Sequence, residues 1–404
     1  MTKKMKALVC GAGITGLTLA NRLSTLGADV VLLERSSGPR TQGYMIDFLG
    51  DGYEAAETMG VLPAIQKVAH YLEEATMVDA HGRHRASLPM ALLAPGPRLD
   101  VMRPDLEYVL RNSLPSSVDL RFGTSPTAVE DQGGTVRVFL DDSSQLDVDV
   151  LIGADGLHST VRRLTFGDES DYLRYLGFHT AAFTFHDHQL HEKLTGRFWM
   201  TDTIDRLLGL YAIRDDHVAI FAIHRSLDPT VPDDPRAALR ETYSGMGWVV
   251  PEVLSKLPPP PDIYYDQVAQ ILMPRWRKGR VVLVGDACFA VSVLAGQGAS
   301  MGMAGAYVLA DRLARTPCVE EALADYEKLW RPVVERTQRA GRASGGFFVP
   351  RSRRGLLARR ALLRAIQLPI IDRAASAAAA LAGKPSGLIS TLDSSQSNAT
   401  GLAQ

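Results

Sequence analysis

A strand-like run, Lys6–Cys10, passes directly into Gly11-Ala12-Gly13-Ile14-Thr15-Gly16, and Ile14–Leu26 then carries apolar residues at helical spacing up to Gly27. This G-x-G-x-x-G opening constrains the fold more than any other feature of the chain. The first glycine allows the tight turn, the second lets a pyrophosphate approach the backbone, and the third permits close packing of helix on strand. Orphan N–H groups and the helix dipole favour anions at that N-terminus. Asp29–Leu33 reads as a second buried strand, and Glu34 ends it 18 residues after Gly16. A carboxylate there accepts hydrogen bonds from an adenosine ribose, and it favours a free 2′-hydroxyl, as in FAD or NAD, over a 2′-phosphate. Strand, helix and strand in this order predict a βαβ unit, hence a parallel sheet with helices on it.

Further along, the pattern changes. Leu92–Arg98 is loop-like, Asp105–Asn112 helical, and Val136–Leu140 and Leu146–Ile152 read as strands that lead to Gly153-Ala154-Asp155-Gly156. Between about Leu173 and Arg225 the apolar period becomes two. The runs Tyr175–Phe185, Arg197–Met200, Leu207–Ile213 and His217–His224 predict an antiparallel meander, a second domain of different architecture. Arg280–Val284 returns to a buried strand and Met301–Leu313 to a helix, so the first domain is discontinuous in sequence. The expected fold class is α/β: a Rossmann-like βαβ domain, an interleaved antiparallel-sheet domain, and C-terminal helices. A chain of 404 residues, 46% hydrophobic, accommodates two or three such cores.

Composition excludes more than it names. With 44 basic against 45 acidic residues there is no global field to draw a nucleic acid. Three cysteines (Cys10, Cys288, Cys318), with no C-x-x-C pair, speak against a disulfide scaffold or zinc site and point to a cytoplasmic protein. No secretory signal is read at the N-terminus and no run of apolar residues predicts a membrane span.

Two more blocks carry chemistry. Gly285-Asp286-Ala287 follows the strand at Val281–Val284, and Gly296-Gln297-Gly298 precedes the next helix. A carboxylate at a strand's C-terminal end can hold polyol hydroxyls, and the glycines let a flat ring approach the backbone. The helix N-terminus then stabilises negative charge on a ring carbonyl. The stretch Gly153-Ala154-Asp155-Gly156-Leu157-His158-Ser159-Thr160-Val161-Arg162 is again strand, turn and helix start.

In this order and spacing, over about residues 5–345, the three blocks resemble the single-component flavoprotein aromatic hydroxylases, the para-hydroxybenzoate hydroxylase-like monooxygenases. The resemblance implies FAD as cofactor, NADPH or NADH as transient reductant, molecular oxygen as co-substrate, and a sheet-roofed substrate domain. It implies hydroxylation of an aromatic or polycyclic small molecule through a flavin C4a-hydroperoxide. The flavin carries the chemistry, so no catalytic side chain and no metal is assigned. Carried over by position, Gly11, Gly13, Gly16, Glu34 and Arg35 serve the ADP half of FAD, and Arg103 lies along the cofactor. Asp155 and Gly156 serve FAD and the nicotinamide cofactor. Asp286 contacts the ribityl chain, and Gly296, Gln297 and Gly298 lie against the isoalloxazine. The implied domains are an FAD-binding domain (1–72, 98–170 and 266–324) and a substrate-binding sheet domain (73–97 and 171–265). C-terminal helices (325–384) and a disordered tail (385–404) complete the chain.

The chain departs from the family pattern after Gly285-Asp286-Ala287, where Val293 stands at the usual proline position. Phe289, Val293 and Leu294 make that flank apolar and suit a bulky substrate, and the S-x-L-A-G-Q-G form is similar to monooxygenases of secondary metabolism. Phe221 and His224, with Val293 and Leu294, are the candidate pocket residues. Two alternatives share the scaffold: a flavin-dependent halogenase, against which stands the absence of a W-x-W-x-I-P stretch, and a non-catalytic flavin- or metabolite-binding relative. His179, His186, His188 and His191 read as a strand end and polar turn rather than a metal site. Residues 331–373 hold eleven arginines against two acids. The expectation is a surface helix that packs its leucines on the FAD domain and solvates its arginines.

Overall fold

The computed structural model describes residues 4–93, 96–366 and 386–393. One sheet has the strand order Arg277–Lys278, Val281–Leu283, Val150–Gly153, Lys6–Cys10, Asp29–Glu34, Asp119–Phe122. Every pairing is parallel except that of the Arg277–Lys278 edge. Lys6–Cys10 lies in the interior because both its faces are apolar; Leu8 and Val9 are fully buried, as a strand covered by helices on both sides requires. The βαβ opening is present, with the helix at Ile14–Thr25 packed on the helix at Gly298–Arg315. The run Leu146–Ile152 divides between two sheets. Gln145–Val148 pairs antiparallel with Val136–Leu140, and Val150–Gly153 joins the parallel sheet. Between them, the Asp149 carboxylate accepts a hydrogen bond from the Lys6 N–H at 2.8 Å.

The second sheet is seven-stranded, in the order Tyr264–Ile271, Leu173–His186, His217–Arg225, Arg206–Ala212, Arg197–Thr203, Glu74–Val78, His84–Pro89. Its centre is the expected meander. Its edges come from elsewhere in the sequence, and Glu74–Val78 joins in parallel. The strand Tyr264–Ile271 belongs here through its antiparallel pairing with Leu173–His186. A domain boundary between 265 and 266 would therefore cut through a strand. One face of the sheet, with Ala181, Phe183, Ile220 and Ala222, packs on the helices at His188–Leu194, Pro235–Tyr243 and Val250–Ser255. The other face roofs a cavity above the parallel sheet's domain.

Two expectations for the C-terminal region are corrected. The helix Arg353–Ile366 packs on the sheet edge at His84–Pro89, not on the FAD domain. Arg353, Arg354 and Arg364 are exposed and Leu363 is buried, as expected, but Arg359 is buried, while Leu357 is 64% and Leu362 50% exposed. The cause is the Asp202 carboxylate, fully buried on the sheet, which pairs with both Arg359 and Arg360. The tail is also not wholly irregular. Residues 388–393 form a helical turn whose Ile389 and Leu392 enter the main core, and Arg315 donates to the Leu392 carbonyl at 2.8 Å. Two apolar residues three apart suffice for one buried helical face, and the small polar residues around them mask the pattern. Residues 367–385 and 394–404, also included in these expectations, lie outside the described residues.

Candidate functional site

Two cavities meet in the cleft between the sheets. The narrower, about 280 Å³, runs along the C-terminal ends of the parallel strands and is bordered by Gly11, Gly13, Glu34, Arg35 and Asp155. The Glu34 carboxylate accepts from the Ala12 N–H and the Ser36 N–H, both at 2.9 Å. Burial alone would raise its pKa, but these backbone bonds outweigh it and the carboxyl is held below its ordinary value. Glu34 thus stays charged and holds the glycine turn in shape. Gly11 adopts φ +102°, open to glycine and strained for any other residue.

The second cavity, about 470 Å³, lies under the seven-stranded sheet. Gly13, Tyr44, Arg103, Gly156, Asp266 and Asp286 border both spaces, so the two form one continuous cleft. Arg103 opens the helix Arg103–Asn112, and its Nη2 stands 2.6 Å from Glu107 Oε1. Asp286 opens the short helix Asp286–Phe289, and its accessible surface faces the cleft. Enclosure pushes its pKa up, and Arg103 opposes the rise. Gly296, Gln297 and Gly298 line the larger cavity below it.

Asp155 is used locally. Its carboxylate accepts from Ser159 Oγ at 2.5 Å and the Val161 N–H at 3.0 Å, which caps the helix Thr160–Thr165. Behind it, the buried Arg162 donates to the carbonyls of Ala287 at 2.8 Å and Leu157 at 2.6 Å, and to Glu169 at 2.7 Å. One guanidinium therefore ties the Gly153–Arg162 block to the Gly285–Ala287 turn. Next to Val293, the turn is made by Ser292, at φ 80° and ψ 147°. That backbone is costly for an L residue. Ser292 Oγ accepts the Leu294 N–H at 3.1 Å and holds the turn closed.

The cleft gathers Gly11, Gly13, Glu34, Arg35, Arg103, Asp155, Gly156, Asp286 and Gly296–Gly298; its sheet roof adds Phe221, and the turn before Gly296 adds Val293 and Leu294. Gly16 supports the turn from behind. His224 is not part of it. It lies three residues after Phe221 on the strand His217–Arg225, on the opposite face. There its ring meets Tyr243 Oη and Tyr265 Oη at 3.3 Å each, and burial pushes its pKa down to about 4.

Several cleft residues carried no sequence signal. Tyr44 stacks obliquely on Tyr264, with centroids 5.5 Å apart, and meets Phe221 edge-on at 6.2 Å. Asp47 lies opposite Asp100 across paired strands, and burial with that second carboxylate raises its pKa. Alternation along Met45–Leu49 places Asp47 on the face opposite the buried Ile46 and Phe48, which by itself does not point to a cleft. At the junction, His158 Nδ1 contacts Glu169 Oε1 at 2.9 Å and its Nε2 faces Asp266 Oδ1 at 3.6 Å. Asp266 and Glu169 together raise its pKa to about 9. This strap stabilises the fold fully below about pH 6.5, the ordinary histidine value, and the contribution fades as pH rises through about 9. Accordingly His158→Gln should lower Tm at pH 6, with the difference gone at pH 10. Equal melting losses at both pH values would rule the strap out.

The FAD binding domain family model matches residues 4–340. The chain belongs to the FAD-dependent aromatic hydroxylase family. An uncharacterised protein of Mycobacterium tuberculosis is 35% identical over 344 residues, which span 82% of this chain and 91% of that one. A flavin-dependent monooxygenase of Legionella longbeachae is 28% identical over 349 residues, 84% of this chain and 89% of its own. The crystal structure of tetracycline destructase Tet(55) superposes with a TM-score of 0.78 at 28% identity, covering 91% of this chain and 96% of that one. This flavoprotein monooxygenase therefore takes FAD, and its cleft fits that cofactor. Bare backbone at Gly156 and Gly298 borders the space, and the Asp286 carboxylate faces it. Among the described residues no helix is long and apolar enough to cross a membrane, and no cluster of His, Cys, Asp or Glu could hold a metal ion.

Proposed function

We propose that this monooxygenase consumes NAD(P)H and hydroxylates an aromatic or polycyclic small molecule. The observation that carries the reading is the continuity of the cleft: the dinucleotide groove opens at Arg103, Tyr264 and Asp286 into an apolar chamber. The cavity of about 470 Å³, which takes in the Gly296–Gly298 turn as well as the sheet face, is of the size of small-molecule sites, roughly 300–1,000 Å³. Similarity to tetracycline destructase Tet(55) supports a multi-ring substrate. Bound FAD would supply the redox and oxygen chemistry, one oxygen atom of O₂ passing to the substrate and the other leaving as water.

The chain's own residues do the rest. Glu34 and the glycine turn would hold the adenosine end, and Asp286 the polyol chain. The N-terminus of Gly298–Arg315 would stabilise negative charge on the ring. Phe198, Met200, Leu207 and Phe221 on the sheet face keep water out of the chamber.

Purified protein should be yellow. NADPH or NADH oxidation should accelerate when an accepted substrate from an aromatic panel is added, with a product one oxygen atom heavier. Chloride incorporation would replace this reading with halogenation. A yellow protein that no panel member stimulates would leave it a flavin- or metabolite-binding relative.

A further inference from the structure

Among the described residues that line the apolar chamber three are acidic, Asp47, Asp266 and Asp286, and none is histidine or lysine. Asp266 and Asp286 also border the cofactor groove, whereas Asp47 borders the chamber alone. We infer that Asp47 is the base of the chamber: its carboxylate takes the proton of an acidic hydroxyl, a phenol or enol, on the ring system bound there. The inference rests on the small-molecule hydroxylase reading and adds to it a hydroxyl on the substrate and the side chain that ionises it.

Placement leads to it. Met45–Leu49 alternates, so Asp47 faces away from the buried Ile46 and Phe48 and borders the chamber. Its Oδ2 lies 3.9 Å from where a Cβ on Gly296 would stand, beside the glycine turn that precedes Gly298–Arg315. Directly opposite on the paired strand is Asp100, 2% exposed. Asp100 Oδ2 accepts from the Leu72 N–H and from Arg98 Nη2, each at 3.1 Å. Its Oδ1 is buried and accepts no hydrogen bond, although Arg98 Nε stands 3.0 Å away. The two carboxyls are within hydrogen-bonding reach of each other, and a pair so placed holds one proton between its members. The charged and titratable groups that face Asp47 are Asp100 and Arg98 on the strand Arg98–Met102 and Tyr211 on the strand Arg206–Ala212. Tyr211 Oη accepts the Met45 N–H at 2.7 Å, and burial holds its own proton in place. Burial and Asp100 raise the pKa of Asp47 to about 6, against Arg98. The carboxylate is therefore ionised at neutral pH and a better proton acceptor than an ordinary aspartate. In the step, the substrate O–H bond breaks and the Asp47 O–H bond forms. The electron pair stays on the substrate oxygen, which makes the ring carbons more nucleophilic, and the proton is shared with Asp100.

Equilibrium dialysis of the FAD-loaded protein against 2-naphthol and 2-methoxynaphthalene, without reductant, tests this directly. The two probes share a ring system, and only the naphthol has a proton to give. A phenol itself stays protonated up to about pH 8. At about pH 8 the naphthol should bind about tenfold or more tightly than the ether, as one charge-assisted hydrogen bond allows. Protonation of Asp47 removes the acceptor, so the preference should be lost on acidification, with its midpoint at about 6. Asp47→Asn should make the ratio independent of pH. Asp100→Asn should keep the preference and move its midpoint down by about one pH unit or more, because the second carboxylate is gone. Should Asp47→Asn fail to fold, the Asp100→Asn midpoint is read in its place. A purely structural role for Asp47 would change melting temperature but not the pH profile of the ratio. Wild-type protein that binds neither probe, or binds both alike at every pH, overturns the inference, as does a pH-dependent preference that survives Asp47→Asn. Binding is recorded without turnover, so a protein with this profile that never hydroxylates would sink the proposed function alone. An active protein without the profile would sink only this inference.

Discussion

Asp286→Ala protein should purify colourless, with FAD retention reduced by about tenfold or more in affinity, the effect of one charge-assisted hydrogen bond to a polyol. The residue sits where the cofactor groove meets the chamber, and its carboxylate points into the cleft. Enclosure by the cleft walls raises its pKa and Arg103 opposes the rise, while the residue stays open to the cleft, so the FAD-free fold takes no packing support from this carboxylate. Removal should therefore leave the FAD-free protein at least as stable as the wild type. This combination, a cofactor lost and a fold kept, separates a binding role from a structural one. The measurement is the flavin-to-protein absorbance ratio alongside thermal melting of both apo proteins. A yellow Asp286→Ala preparation with one FAD per chain would falsify the role.

The second large effect is expected at Gly16. A Cβ there would stand 1.8 Å from the Gly11 carbonyl oxygen, far inside contact distance, and the obstacle is backbone. Gly11 has nowhere to go: on its other side a Cβ would meet the Ala154 carbonyl oxygen at 2.5 Å. Gly16→Ala must therefore lift the first helix off the strand that precedes it. The cost should exceed the ~1–3 kcal/mol typical of core overpacking, a fall in Tm of at least about 5 °C. Because the displaced turn would cradle the pyrophosphate of FAD, the cofactor should be lost as well. A Gly16→Ala protein that melts within 1–2 °C of wild type, about the shift of a tolerated surface change, would show that the turn is laxer than this packing demands.

Local pattern and tertiary placement divide the site between them. The glycines, Glu34 and Asp286 could be read because each is required by contacts close in sequence: a turn, a helix start, a strand end. The meander could be read because its strands are sequential and alternate. His224 was misplaced although the sequence held the answer, since a residue three positions from Phe221 on a strand faces the other way. The arginine-rich helix was misread for a different reason. Amphipathic reasoning assigns leucine to the core and arginine to water, and a buried carboxylate more than 150 residues distant, Asp202, makes Arg359 the exception.

What the amino-acid sequence determined by itself was the dinucleotide-binding half of the fold: a βαβ opening, an acid at the end of its second strand, and glycine-rich turns at the ends of three parallel strands. These are local requirements, set by backbone angles and helix termini a few residues apart. The tertiary structure alone decided the substrate half. The strands Glu74–Val78 and Tyr264–Ile271 join one sheet from distant parts of the chain, and the aromatic junction of Tyr44, Tyr264 and Phe221 exists only once they do. Arg359 meets the chamber only because Asp202 draws it in. Non-local pairing and charge neutralisation depend on which surfaces meet, and no sequence period carries that information.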